Sequence, residues 1–336
     1  MRTQRVQRTQ RTQRVQRTQS AEAQREMRAF LRSAAAFVAI GALLYGALYA
    51  GAEWLVYQRA DRNRFFMIRT APLAEYDRVI LGASHAAVFD FDDMNGRLEQ
   101  MTGARILNLS VVGGGVVVNR LLLDYFLVRH RTEAIVYVVD SFAFYSSEWN
   151  EKRLEDARLF QRAPFDPALA RLLAGRGAPP MVAVDYVTGF SKINNPDRFG
   201  PDRPAEAARF DRRYRPVDQI DRQRIEYLYP AVFDETVRAR LEGYLGQFEA
   251  MISDARAQGI RVVLIRPPLP PRTRAMIPEE PAFDAALRSL AARAGADLHD
   301  LSEAVDDPAM YFDSDHLNRT GVEHLFEHHL AGIIRK

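Results

Sequence analysis

Residues 78–85 read RVILGASH. Four residues able to form a short buried strand, Arg78-Val79-Ile80-Leu81, run straight into Gly82, a residue that tolerates a sharp turn. Ser84 and His85 then sit just past a strand end. The pattern recurs along the chain. Ala104–Val111 (ARILNLSV) predicts a second strand, leading through Gly113-Gly114-Gly115 into a helix over Val118–Arg129. Glu133–Asp140 (EAIVYVVD) predicts a third. A long helix over Glu235–Gln258 precedes Arg261–Arg266 (RVVLIR), which Pro267-Pro268 ends. A helix over Phe283–Ala294, a fifth strand over Ala296–Leu301 and a closing helix over Gly321–Ile334 complete the series. Short apolar strands alternating with helices imply a parallel sheet covered on both faces. With right-handed crossovers the simplest arrangement is a three-layer α/β/α, doubly wound, flavodoxin-like sheet. It occupies residues 70–336, interrupted by an insertion over 146–234 rich in Pro, Arg and aromatics.

The N-terminal part has a different character. Residues 2–10 read RTQRVQRTQ, and residues 11–19 repeat the same nine letters. The repeat has no apolar face, so a disordered basic tail is expected over residues 1–32, with Met27 as an alternative initiator. Nine arginines against Glu22 and Glu26 give that tail about +7, so a chain of net charge +3 has a body of roughly −4. Basicity confined to the tail argues against a nucleic-acid partner. Ala34–Ala52 carries no charge, and Trp54 and Tyr57 follow as interfacial aromatics, so 33–57 is expected to span a membrane. The arginine-rich end would stay in the cytoplasm, placing the body in the periplasm. A signal peptide cut at Ala50-Gly51-Ala52 is the competing reading. The chain contains no cysteine, which excludes disulfides and thiolate metal sites.

In an open parallel sheet, reactive groups gather outside the carboxyl ends of the strands. Ser84 falls there, with its hydroxyl expected to be exposed and its own N–H able to face a developing oxyanion. Asp313-Ser314-Asp315-His316 precedes the last helix, where Thr320 and Glu323 read as a capping box. A spacing of three puts Asp313 and His316 on one side of a turn, so the carboxylate can orient the imidazole. The Gly113 loop offers a second oxyanion donor. His324 and His328, four apart, read as a solvated helix face rather than metal ligands.

These blocks resemble the SGNH hydrolase and acyltransferase superfamily over about Asp77 to the C-terminus. Asp-x-x-His-Leu-Asn-x-x-Gly over 313–321 is the most specific element. The resemblance implies Ser84 as nucleophile, His316 as base, Asp313 as its orienter, and Ser84 and Gly113 as oxyanion donors. It implies no cofactor and no metal. Two departures stand out: GASH replaces GDS, and Asp140-Ser141-Phe142 stands where Gly-x-Asn-Asp carries the usual asparagine donor. An anchored chain with these blocks looks most like the alginate O-acetylation and teichoic acid D-alanylation proteins. That likeness implies acyl transfer to an envelope polysaccharide beside a multispanning membrane acyltransferase. His85 and Arg266 are the candidate substrate contacts, with His85 set back from the nucleophile and Arg266 open to an anionic polymer or to a neighbouring acid. An esterase of the same fold, and a non-catalytic binding or assembly subunit, are the alternatives.

Overall fold

In a computed structural model of the chain, residues 2–175 and 178–336 are described, without the side chains of residues 2–23. Five strands form one parallel sheet: β1 (Glu75–Gly82), β2 (Ile106–Asn108), β3 (Arg131–Val138), β4 (Arg261–Arg266) and β5 (Asp297–Asp300). Their spatial order is β2-β1-β3-β4-β5, the flavodoxin-like arrangement expected from the sequence. Side chains alternate between two cores, as the period of two requires. Val79, Leu81, Ile135, Tyr137, Val262 and Leu264 enter one core with the helices Val116–Arg129, Glu235–Ala257 and Glu280–Ala294. Ile80, Val136, Val138, Val263 and Ile265 enter the other, with Met94–Thr102 and the C-terminal helical segment that starts at Arg319.

Chain order reverses direction across the sheet between β1 and β3, where Gly82 pairs with Val138. A ligand crevice belongs at such a switch point. Gly82 has a φ of +141°, and a Cβ there would lie 2.7 Å from the Val138 carbonyl oxygen. Only glycine lets the two strands stay this close while the chain turns toward Ser84.

The insertion over 146–234 is built of short helices and turns, and its apolar residues, among them Leu154, Phe160 and Tyr186, join the first core. It is therefore part of the compact unit Leu55–Lys336.

The unit before it, up to Trp54, belongs to a helix running Arg2–Arg59. Its stretch Gln24–Arg59 is long and apolar enough to cross a membrane. The tail expected to be disordered is thus helical in backbone. Arg and Gln are good helix formers, and neither Gly nor Pro interrupts residues 2–40, so an existing helix propagates through the repeat at little cost.

Candidate active site

Beyond Gly82, Ala83 turns the chain and Ser84–Ala87 forms a four-residue helix. The Gly82 N–H donates to Asn119 Oδ1 at 3.0 Å, and Asn119 Nδ2 donates to the Gly114 and Gly115 carbonyls. One asparagine thereby fixes the nucleophile turn to the glycine loop. Ser84 itself is buried, with 6% of its surface exposed, and not the open hydroxyl expected from its turn.

Each named position of the Asp-x-x-His-Leu-Asn-x-x-Gly stretch over 313–321 has a physical task. Asp313 accepts from the His316 backbone N–H at 2.8 Å and from its ring Nδ1 at 2.9 and 3.0 Å. The carboxylate thus shapes the loop and orients the ring together. Leu317 is buried and bridges to Tyr311. Asn318 caps the following helix by accepting from Gly321 N–H at 3.0 Å, while its amide clamps the carbonyls of Ala309 and Arg212. The cap is therefore Asn318 and not the expected Thr320, which lies exposed within the helix. At Gly321 a Cβ would meet the Met310 carbonyl oxygen at 2.2 Å.

Asp315, buried beside the dyad, binds the Arg224 guanidinium at 2.9 Å and lies 3.4 Å from His316 Nδ1. Burial works against its charge, yet His316, Arg224 and His85 together hold its carboxyl well below the usual range. Asp313 makes the shorter contact with the ring and keeps the orienting position.

His85 was expected to diverge from Ser84 and at most to contact substrate; its ring stacks on His316, centroids 4.9 Å apart and planes at 29°. Phe312 covers the opposite face of His316 at 5.4 Å and 8°. His85 Nδ1 meets Asp140 Oδ1 at 2.5 Å. Burial opposes protonation of His85, but the carboxylates of Asp140 and Asp315 outweigh it and raise its pKa. Asp140 thus serves a second His–carboxylate pair at the place where the usual asparagine is missing. A strand-end acid in EAIVYVVD was the signal for it. Arg224, from the helix Asp218–Leu228 in the insertion, had no sequence signal.

Arg266 departs from its expected role. Arg266 is buried, donates to the Val139 carbonyl at 2.7 Å and is ion-paired with Glu280 and Asp284. Both acids consume the charge offered to an anionic substrate. It walls a cavity of about 20 Å³ shared with His85, Asp140, Tyr229 and Asp315, room for about one water. Gly113 has a φ of +68° and faces the Trp149 ring, which a Cβ would approach to 3.3 Å. Among the described residues it makes no hydrogen bond to Ser84, His85 or His316. Nor is there one between Ser84 Oγ and His316; the two chain ends meet through the stacked imidazoles. His316 Nε2 and His85 Nε2 are both buried without a partner. His324 and His328 lie on the last helical segment with centroids 4.4 Å apart.

No protein-family model and no curated protein matches the chain. Among solved structures it is similar to a proposed acylhydrolase of Bacteroides fragilis, at 8% identity and TM-score 0.38, over 76% of this chain and 85% of that one. A GDSL-like lipase of Bacteroides thetaiotaomicron matches at 8% and 0.36, over 76% and 84%. A proposed platelet activating factor from Streptococcus pneumonia matches at 12% and 0.41, over 85% and 94%. The fold class stands on the strand order, and the functional reading on the site itself.

Proposed function

We propose that the chain is an SGNH-type serine enzyme that transfers an acyl group, through acyl-Ser84, to a hydroxyl of an envelope polysaccharide. The observation that carries this reading is the Asp313–His316 pair, 2.9 Å apart, with the ring's other nitrogen buried and free of partners. A carboxylate on Nδ1 fixes the tautomer that leaves Nε2 as a base.

His316 Nε2 accepts the Ser84 proton as Oγ attacks the acyl carbonyl carbon. The Ser84 N–H, at the start of its short helix, and Gly113 are the proposed donors to the resulting oxyanion. The tetrahedral adduct collapses, the donor's oxygen leaves with the proton from His316, and acyl-Ser84 remains. An acceptor hydroxyl then gives its proton to His316 and attacks the ester carbon; the adduct collapses to the new ester, and His316 returns the proton to Ser84 Oγ as it leaves. Hydrogen bonds of this kind tighten when substrate is bound, so the absent Ser84–His316 bond is compatible with the step. Water in place of the sugar hydroxyl gives the esterase reading, which uses the same atoms.

In this proposal the Gln24–Arg59 helix anchors the chain in the inner membrane with the catalytic domain in the periplasm. A multispanning membrane acyltransferase supplies the acyl group. The test is a Ser84→Ala strain: the protein should accumulate normally while the polymer loses its acyl groups. Wild-type acylation in that strain would overturn the catalytic reading.

A further inference from the structure

The fold gathers three side chains able to bind a metal, His85 being far in sequence from Asp315 and His316. His85 and His316 each give Nδ1 to a carboxylate, Asp140 at 2.5 Å and Asp313 at 2.9 Å. With Nδ1 engaged, the second nitrogen of each ring, Nε2, is the one left for a ligand, and both are buried with no hydrogen-bond partner. Asp315 lies beside the stack, Oδ2 3.7 Å from His85 Nε2 and Oδ1 3.4 Å from His316 Nδ1, with the Arg224 guanidinium on both of its oxygens. One ligating atom from each of the three residues falls within 4.8 Å of the others, and all three residues are buried.

We propose that His85, His316 and Asp315 form a site for one divalent transition-metal ion of the zinc class, and that its occupancy withdraws His316 from catalysis.

Metal-bound imidazoles almost always donate their other N–H to a carboxylate, and metal-bound carboxylates are themselves hydrogen-bonded. Here both imidazoles and Asp315 already have those outer partners. Two imidazoles and one carboxylate suit zinc, cobalt or nickel better than calcium or magnesium, which prefer all-oxygen sites. Three protein ligands leave the fourth position of a tetrahedral ion open. Asp140, Asp313 and Asp315 oppose Arg224, while Arg266 across the cavity is already paired with Glu280 and Asp284, so the surroundings favour added positive charge. Bonds of about 2.0–2.1 Å place tetrahedral ligand pairs roughly 3.3 Å apart, so the groups close by no more than about 1.5 Å, shared between two side chains.

Binding donates the His316 Nε2 lone pair to the metal; no bond breaks and nothing is oxidised. A coordinated lone pair cannot accept the Ser84 proton, so the occupied protein is silent in acyl transfer. That second half rests on the proposed function; metal binding itself does not.

The full chain, purified in detergent and stripped with chelator, is titrated with zinc or cobalt ions. One ion per chain should bind, with a nitrogen and oxygen shell at about 2.0–2.2 Å by X-ray absorption. Asp140→Asn should weaken affinity about 10–100-fold without removing a ligand. His85→Ala should abolish binding, and Ser84→Ala should leave it unchanged. The surface imidazoles His324, His328 and His329 are the competing site, so His328→Ala should also bind normally. Absence of stoichiometric binding, or binding lost in His328→Ala and kept in His85→Ala, overturns the site. Acyl labelling of Ser84 should fall in step with occupancy and return on chelation. Labelling that continues in the loaded protein refutes the withdrawal of His316. A metal-free protein that takes no label at Ser84 refutes the catalytic reading and leaves the titration to decide the site.

Discussion

Gly321→Ala sets two effects of known size against each other. Alanine is the better helix former, worth about 1 kcal/mol over glycine within a helix. At this position, however, the new Cβ would sit 2.2 Å from the Met310 carbonyl oxygen and 2.9 Å from Leu317 Cδ2. An unstrained carbon–oxygen contact is about 3.3–3.6 Å, so the two must separate by about 1.1 Å or more. The oxygen cannot retreat freely, because it accepts the Asn318 N–H at 2.9 Å, two residues after His316. Overpacking of this kind costs about 1–3 kcal/mol, and losing that hydrogen bond adds about 1 kcal/mol. Sterics therefore win, and the variant should be less stable by roughly 1–3 kcal/mol in denaturant titration. The displacement falls on the loop that carries the base. A misplacement of about 1 Å can cost about 100-fold in rate. Release of a chromophoric acid ester by the purified chain should slow by that order, with the protein still folded below its midpoint. Wild-type rate together with wild-type stability would refute the claim that Gly321 seats the His316 loop.

Asp313→Asn should lower the ester-cleavage rate about 10³–10⁴-fold, because the amide no longer selects the tautomer that leaves His316 Nε2 basic; a change below tenfold would pass the orienting role to Asp315. Asp77 hydrogen-bonds the Arg105 guanidinium at 2.7 and 3.0 Å, which depresses its carboxyl to about 2. The folded-state pKa lies below the ordinary 3.8, so the stabilisation is present above that value and is lost as pH falls through about 2. Asp77→Asn should thus melt earlier than wild type at neutral pH and converge with it near pH 2. The full chain should sediment with membranes, and a C-terminal reporter that works only in the periplasm should be active; a soluble product beginning at Glu53 would replace the anchor with a cleaved leader.

The sheet was legible because its information is local. RVILG and RVVLIR are apolar on both faces, and the residues around them break the chain on cue. The Asp313–His316 pair was legible for the same reason, since a spacing of three within one turn needs no tertiary knowledge. The pairing of His85 with His316 was not legible, because Asp140 and His316 reach its ring only in the folded chain. Arg224 was unreadable: it reaches Asp315 across 91 residues from a segment with no periodic pattern. Arg266 carried two meanings in sequence, and only the approach of Glu280 and Asp284 chose between them. The N-terminal repeat shows the opposite limit, where low complexity suggested disorder although each residue type tolerates a helix.

The central claim is that Ser84 Oγ carries the acyl group, with His316 as its base. Intact-mass measurement of the purified chain after exposure to a small activated acyl ester tests it most directly. One acyl increment, mapped to the peptide containing Ser84 and missing from Ser84→Ala and His316→Ala, is the predicted result. An unmodified chain, or an adduct that persists in Ser84→Ala, would contradict it.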